Sequence, residues 1–130
     1  MAKARILVID DEPDIQETLK MILEYEGYRH FGALTGEEGL RMIDEEHPDV
    51  IFLDLHLPGI DGVQIFAEIQ QDPALRDIPV AVYLGEAESE KEQLAATGPV
   101  KAHLRKSITL DPTQYVEVLE RIVRERKASL

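Results

Sequence analysis

The chain of 130 residues has no cysteine, which excludes disulfide scaffolds, cysteine nucleophiles and Cys-ligated zinc or iron–sulfur centres. Basic residues are scarce: 14 Lys and Arg stand against 26 Asp and Glu, a formal net charge of −12. Phosphate surfaces need a basic patch, so this balance argues against direct binding to nucleic acid or to an anionic membrane and makes cations the natural guests. Long apolar runs are missing as well. The stretches 6–9, 50–53 and 78–84 fall far short of the roughly 18 apolar residues that a membrane span requires. Asp10 and Asp11 interrupt the N-terminal apolar stretch before it resembles a signal peptide, so a cytoplasmic location is expected. What is present is ordinary for a globular protein: 44% hydrophobic and 31% charged residues, with eight glycines and seven prolines. At about 150 residues per domain, the length points to a single domain over 1–130.

Short apolar runs suited to buried strands alternate with helical patterns, the signature of a parallel sheet covered on both faces. The patterns predict strands over 5–10, 28–33, 50–54, 80–84 and 100–104, the last less apolar and so placed at an edge. In the first helix Ile15, Leu19, Ile22 and Leu23 share one face, and Gly27 stops it. Thr35 and Glu38 have the spacing of a capping box ahead of a helix that buries Leu40 and Ile43. Asp61-Gly62 opens a third helix with Ile65, Phe66 and Ile69 on its stripe. A weak helix follows over 86–96, with Ala87 and Leu94 as its few apolar anchors. Asp111-Pro112 then opens a last helix that turns Tyr115, Val118, Leu119 and Ile122 inward.

In a doubly wound sheet ligands bind in the crevice at the carboxyl ends of the strands. Asp10 and Asp11 end the first strand and Asp54 ends the third. If those strands are neighbours, three carboxylates share one hollow, where they raise one another's pKa or recruit a cation. An all-oxygen donor set suits a hard ion, and Mg²⁺ is the first choice because it keeps waters that a phosphate can replace. Lys106 follows the fifth strand, within reach of the same hollow. Taken alone, Asp10-Asp11 reads equally well as the start of a helix, and Lys106 as a surface lysine.

Three segments carry a resemblance: Ile6 through Pro13, Pro48 through Gly62, and Ile78-Pro79-Val80, with Lys106 further on. Together they resemble a response-regulator receiver domain, the module of two-component signalling, over essentially the whole chain. The resemblance implies an α/β fold: a doubly wound, five-stranded parallel sheet of flavodoxin-like order 2-1-3-4-5 with helices on both faces. It further implies that Asp54 is the phosphoacceptor, that Asp10, Asp11, Asp54 and the backbone carbonyl of His56 hold Mg²⁺, and that Lys106 contacts the phosphate. A histidine kinase or phosphotransfer protein would be the donor and another protein the target, with a homodimer among the assemblies it allows. Three positions depart from the family. Leu84 stands where a Thr or Ser hydroxyl is usual, His103 where an aromatic is usual, and Ser107 replaces the proline after the lysine.

The acid cluster and lysine therefore favour a phosphorylation switch, with signalling rather than metabolic chemistry. The three departures favour a phosphorylation-independent interaction module. A small-molecule phosphatase fits less well, because Asp54-Leu55-His56 offers no second acid two residues beyond the nucleophile.

Overall fold

Residues 6 to 9 carry only aliphatic side chains and none has exposed surface, as a strand covered on both faces requires. The computed structural model describes residues 4–55, 57, 59, 62–84, 102–105 and 112–129. Within them, five strands form one sheet: β1 (Arg5–Ile9), β2 (Arg29–Ala33), β3 (Val50–Asp54), β4 (Val80–Leu84) and β5 (Ala102–Arg105). All neighbouring strands pair in parallel, in the order β2-β1-β3-β4-β5. The helices described are α1 (Pro13–Tyr25), α2 (Gly36–Glu46), α3 (Gly62–Gln71) and α4 (Pro112–Ser129). The expected doubly wound order is thus the observed one, and β5 lies at an edge.

Strand alternation divides the core into two layers. Leu7, Ile9, Ile51, Leu53, Val80 and Val82 meet Ile43 of α2 and Ile65, Phe66 and Ile69 of α3 on one face. On the other face Ile6, Val8, Val50, Phe52 and Ala81 meet Leu19 and Leu23 of α1 and Tyr115, Leu119 and Ile122 of α4. There the rings of Phe52 and Tyr115 pack edge to face at 6.0 Å between centroids. Burying one such aliphatic side chain is worth about 1.5 to 3 kcal/mol, so these two layers hold the strand ends in place.

Several boundaries shift from the sequence reading. β1 stops at Ile9, one residue before Asp10, and β2 starts at Arg29 because the Tyr28 N–H turns back to the Leu23 carbonyl at 2.9 Å. β5 runs two residues later at its start than expected, from Ala102. The buried stripe of α1 is Gln16, Leu19 and Leu23, with Ile15 and Ile22 only partly covered. The capping of α2 is as expected: the Glu38 N–H donates to Thr35 Oγ1 at 3.1 Å. The helix expected over 86–96 lies outside the described residues. No helix among the described residues is long and apolar enough to cross a membrane.

Candidate functional site

The carboxyl end of the sheet collects the acids. The Asp10 N–H donates to the Ala33 carbonyl at 3.0 Å, which carries the pairing of β1 with β2 one residue past the strand. β1 and β3 are neighbours in register, Ile9 opposite Leu53, so Asp10 stands level with Asp54, the last residue of β3. Both are deeply buried, with relative exposures of 1% and 0%. A carboxylate so placed needs compensation from hydrogen bonds or a cation. Asp10 Oδ1 accepts the Glu12 N–H at 2.9 Å, closing a tight turn. Pro13 then begins α1, so only Asp10, Asp11 and Glu12 link strand to helix.

Carboxylate oxygens of Asp10, Asp11 and Glu12 lie within 4.8 Å of one another. The set is all oxygen and formally anionic, which fits a hard divalent cation and suits neither zinc nor copper. Glu12 was not singled out by the sequence reading, although its place directly after Asp10-Asp11 was the available signal. The residues in hand therefore fit Mg²⁺ by their donor chemistry.

The exit from β3 is tightly held. Leu55 and Leu57 are buried in the core layer shared with α3, and the Gly62 N–H donates to the Leu55 carbonyl at 3.1 Å. A Cβ at position 62 would stand 2.4 Å from Leu55 Cα and 2.5 Å from the Asp54 carbonyl oxygen. Only glycine lets α3 start this close behind Asp54.

On the far side, Tyr83 of β4 is opposite Asp54, and Leu84 closes β4 opposite Arg105. His103 is in the edge strand opposite Val82. Lys106, His56 and Ser107 lie outside the described residues. The described structure thus brings Asp10, Asp11 and Asp54 to one end of two adjacent strands, with Leu84 at the same end of the next.

A further polar residue at this end was missed. Gln16, on the inward face of α1, is 8% exposed. Its Nε2 donates toward the carbonyl oxygens of Val8 at 2.9 Å, Asp10 at 3.1 Å and Ala33 at 3.0 Å. Its Oε1 lies 2.9 Å from His30 Nε2. Burial lowers the His30 pKa, against the pull of Glu24 and Glu17 and with that of Lys20. The signal was a polar side chain at the helical spacing of core residues Leu19 and Leu23.

Comparison with known proteins gives this arrangement a context. The family model of the response regulator receiver domain matches residues 6–120. Sporulation initiation phosphotransferase F of Bacillus subtilis is 32% identical over 114 residues, covering 85% of this chain and 88% of that protein. The phosphate regulon transcriptional regulatory protein PhoB of Escherichia coli is 35% identical over 86 residues, 66% of this chain. That match spans only 38% of PhoB, so the matched part of the chain corresponds to little more than a third of that regulator. Among solved structures, a CheY-like response regulator receiver domain protein from Methanospirillum hungatei superposes with a TM-score of 0.89 at 25% identity, covering 99% of this chain and 100% of that one.

Proposed function

Because this chain belongs to the response regulator receiver domain family, we propose that it accepts a phosphoryl group on Asp54 from a phosphohistidine and signals through the resulting change of surface. One observation carries this reading: Asp54 is fully buried at the end of β3, level with Asp10 and beside a group of three carboxylates. A buried acid in that setting serves as a nucleophile or an ion ligand more readily than as a stabilising group. The likeness to a phosphotransferase over most of both chains supports transfer chemistry of this kind.

In the proposed reaction a carboxylate oxygen of Asp54 attacks phosphorus in line. The new P–O bond forms as the P–N bond to the donor imidazole breaks, and the imidazole keeps the electron pair. Asp10, Asp11, Asp54 and the His56 carbonyl would hold Mg²⁺, with Glu12 beside them, and the Lys106 ammonium would face the phosphoryl group. Bound Mg²⁺ supplies neutralisation of the charge on the equatorial oxygens. Leu55 and Leu57, both buried, would anchor the chain after Asp54 during attack. The phosphoryl donor would be a histidine kinase or phosphotransfer protein of the cytoplasm, and the target another protein. The chain acts on itself and turns over no metabolite.

A second reading, a phosphorylation-independent interaction module, draws on Leu84 at the end of β4. Leucine donates no hydrogen bond, so a phosphoryl group on Asp54 loses one contact by which the two states would differ. Acetyl phosphate with Mg²⁺ separates the readings. The switch predicts an intact-mass gain of one phosphoryl group, absent in Asp54→Ala, and partner affinity that changes with the donor. A mass gain with partner affinity unaltered favours the second reading, and no mass gain at all sinks the first. Under the switch reading, Leu84→Thr strengthens the dependence of partner binding on the donor.

A further inference from the structure

Gln16 is the buried polar side chain that the phosphoryl chemistry leaves unused. Its amide nitrogen has two hydrogens and three carbonyl oxygens within 3.1 Å, so its donor capacity is fully engaged. With the amide flipped, Oε1 would confront those oxygens with no hydrogen between them. Oε1 therefore faces His30, whose Nε2 must carry the hydrogen of the 2.9 Å contact. Both the neutral tautomer with its hydrogen on Nε2 and the protonated imidazole donate from that atom.

The volume for this amide comes from β2. A Cβ at Gly32 would stand 2.7 Å from Gln16 Oε1 and 3.1 Å from Gln16 Cδ, so a larger residue there would displace the side chain. The three acceptors belong to the segments that define the acid pocket. Val8 and Asp10 flank the last residue of β1, and Ala33 is the last residue of β2 and also accepts the Asp10 N–H. Holding the Asp10 carbonyl fixes the peptide plane between Asp10 and Asp11, and hence the directions in which both carboxylates leave the backbone.

We propose that Gln16, oriented by His30, is a positioning residue for the divalent-cation site: it anchors the Val8, Asp10 and Ala33 carbonyls and so sets where the Asp10 and Asp11 carboxylates stand. The inference rests on the reading of this pocket as a Mg²⁺ site. Partners hydrogen-bonded to a ligating side chain are typically worth about 10- to 100-fold in metal affinity, and Gln16, acting through the main chain of Asp10, is expected at the lower end.

The test is Gln16→Met, which keeps the length and loses the amide. Two quantities are read on the whole chain: the Mg²⁺ dissociation constant by calorimetry, and amide hydrogen exchange in the metal-free protein. The Mg²⁺ constant is expected to rise about tenfold. Exchange at the Asp10 N–H should quicken by a similar factor relative to core amides of β3. A purely structural role would lower the unfolding midpoint and speed all core amides together, leaving the Mg²⁺ constant within twofold, and that result overturns the proposal. Should Gln16→Met fail to fold, His30→Phe decides. It frees the amide to turn, and a rise in the Mg²⁺ constant, smaller than that of Gln16→Met, supports the proposal. An unchanged constant overturns it. Wild-type protein that binds no Mg²⁺ overturns the proposed function and this inference together. Tight wild-type binding with no effect of Gln16→Met overturns the inference alone.

Discussion

The two ends of the sheet treat their charges in opposite ways. At the amino end, Arg5 Nη2 meets Glu46 Oε2 at 2.8 Å, and the Arg5 N–H donates to Asp49 Oδ2 at 2.8 Å. The guanidinium groups of Arg5 and Arg29 lie 4.8 and 5.2 Å from the centre of the Phe31 ring. Each of these four charged residues has a nearby group that favours it. At the carboxyl end Asp10, Asp11 and Glu12 gather like charges within 4.8 Å, next to buried Asp54. An arrangement that opposes folding is explicable where function requires it. The contrast separates acids paired with cationic or main-chain groups from acids that, on the proposed reading, serve a divalent cation.

The sharpest way to break that comparison is Asp10→Asn. The amide oxygen can still accept the Glu12 N–H, but one charge of the cluster is gone. If this pocket holds Mg²⁺ as proposed, affinity is expected to fall at least about tenfold, since one of the proposed ligands is lost. The metal-free protein is expected to become more stable, because one of the clustered like charges is removed. Calorimetry and urea unfolding in the presence of a chelator read the two effects. Loss of stability on removing the charge would mean that the carboxylates at this end are structural after all.

Much of this contrast was legible from residue order. A strand of four aliphatic residues followed by two acids, and another followed by one, place carboxylates at strand ends once the sheet is known to be parallel, and the alternation of patterns supplied that. Leu19, Leu23, Ile43 and Ile65 were readable as core because helical spacing and burial coincide there. Gln16 is hidden because the apolar stripe in the sequence runs through Ile15 and Ile22 as well as Leu19 and Leu23, whereas the buried line runs 16, 19, 23. Periodicity counts apolar residues and so passes over a polar one satisfied by main-chain oxygens. The amino-end cluster was equally hidden. Arg5, Glu46 and Asp49 lie more than 40 residues apart in part, and only the folded register brings them together.

A smaller effect tests the amino end. Arg5→Met removes an ion pair whose side chains are 35% and 34% exposed, together with a cation over the Phe31 ring. Partial exposure keeps the expected cost to about 1 to 2 kcal/mol in urea unfolding. The Mg²⁺ constant should stay within about twofold of wild type, because the pair is held at the end of the sheet remote from the acids. A large loss of Mg²⁺ affinity would show that the two ends are coupled, and the division between them would fail.

The finest probe is pH, acting on His30 between the two ends. Burial places its folded pKa below the ordinary value of 6.5. As pH falls through about 6.5, the unfolded chain takes up a proton that the folded protein refuses, so the unfolded state gains and stability declines. The decline ends below the folded pKa, where both states are protonated. Removing the imidazole in His30→Phe deletes this contribution, and the other three histidines of the chain are common to both proteins. The stability of wild type relative to His30→Phe should therefore fall from pH 7 toward pH 5, read as the difference between their urea midpoints. A flat difference would mean that His30 is as well hydrated in the folded protein as in the unfolded chain. An imidazole so hydrated has water to satisfy it, and the Gln16 amide would then lack the fixed donor that holds its oxygen away from the strand ends.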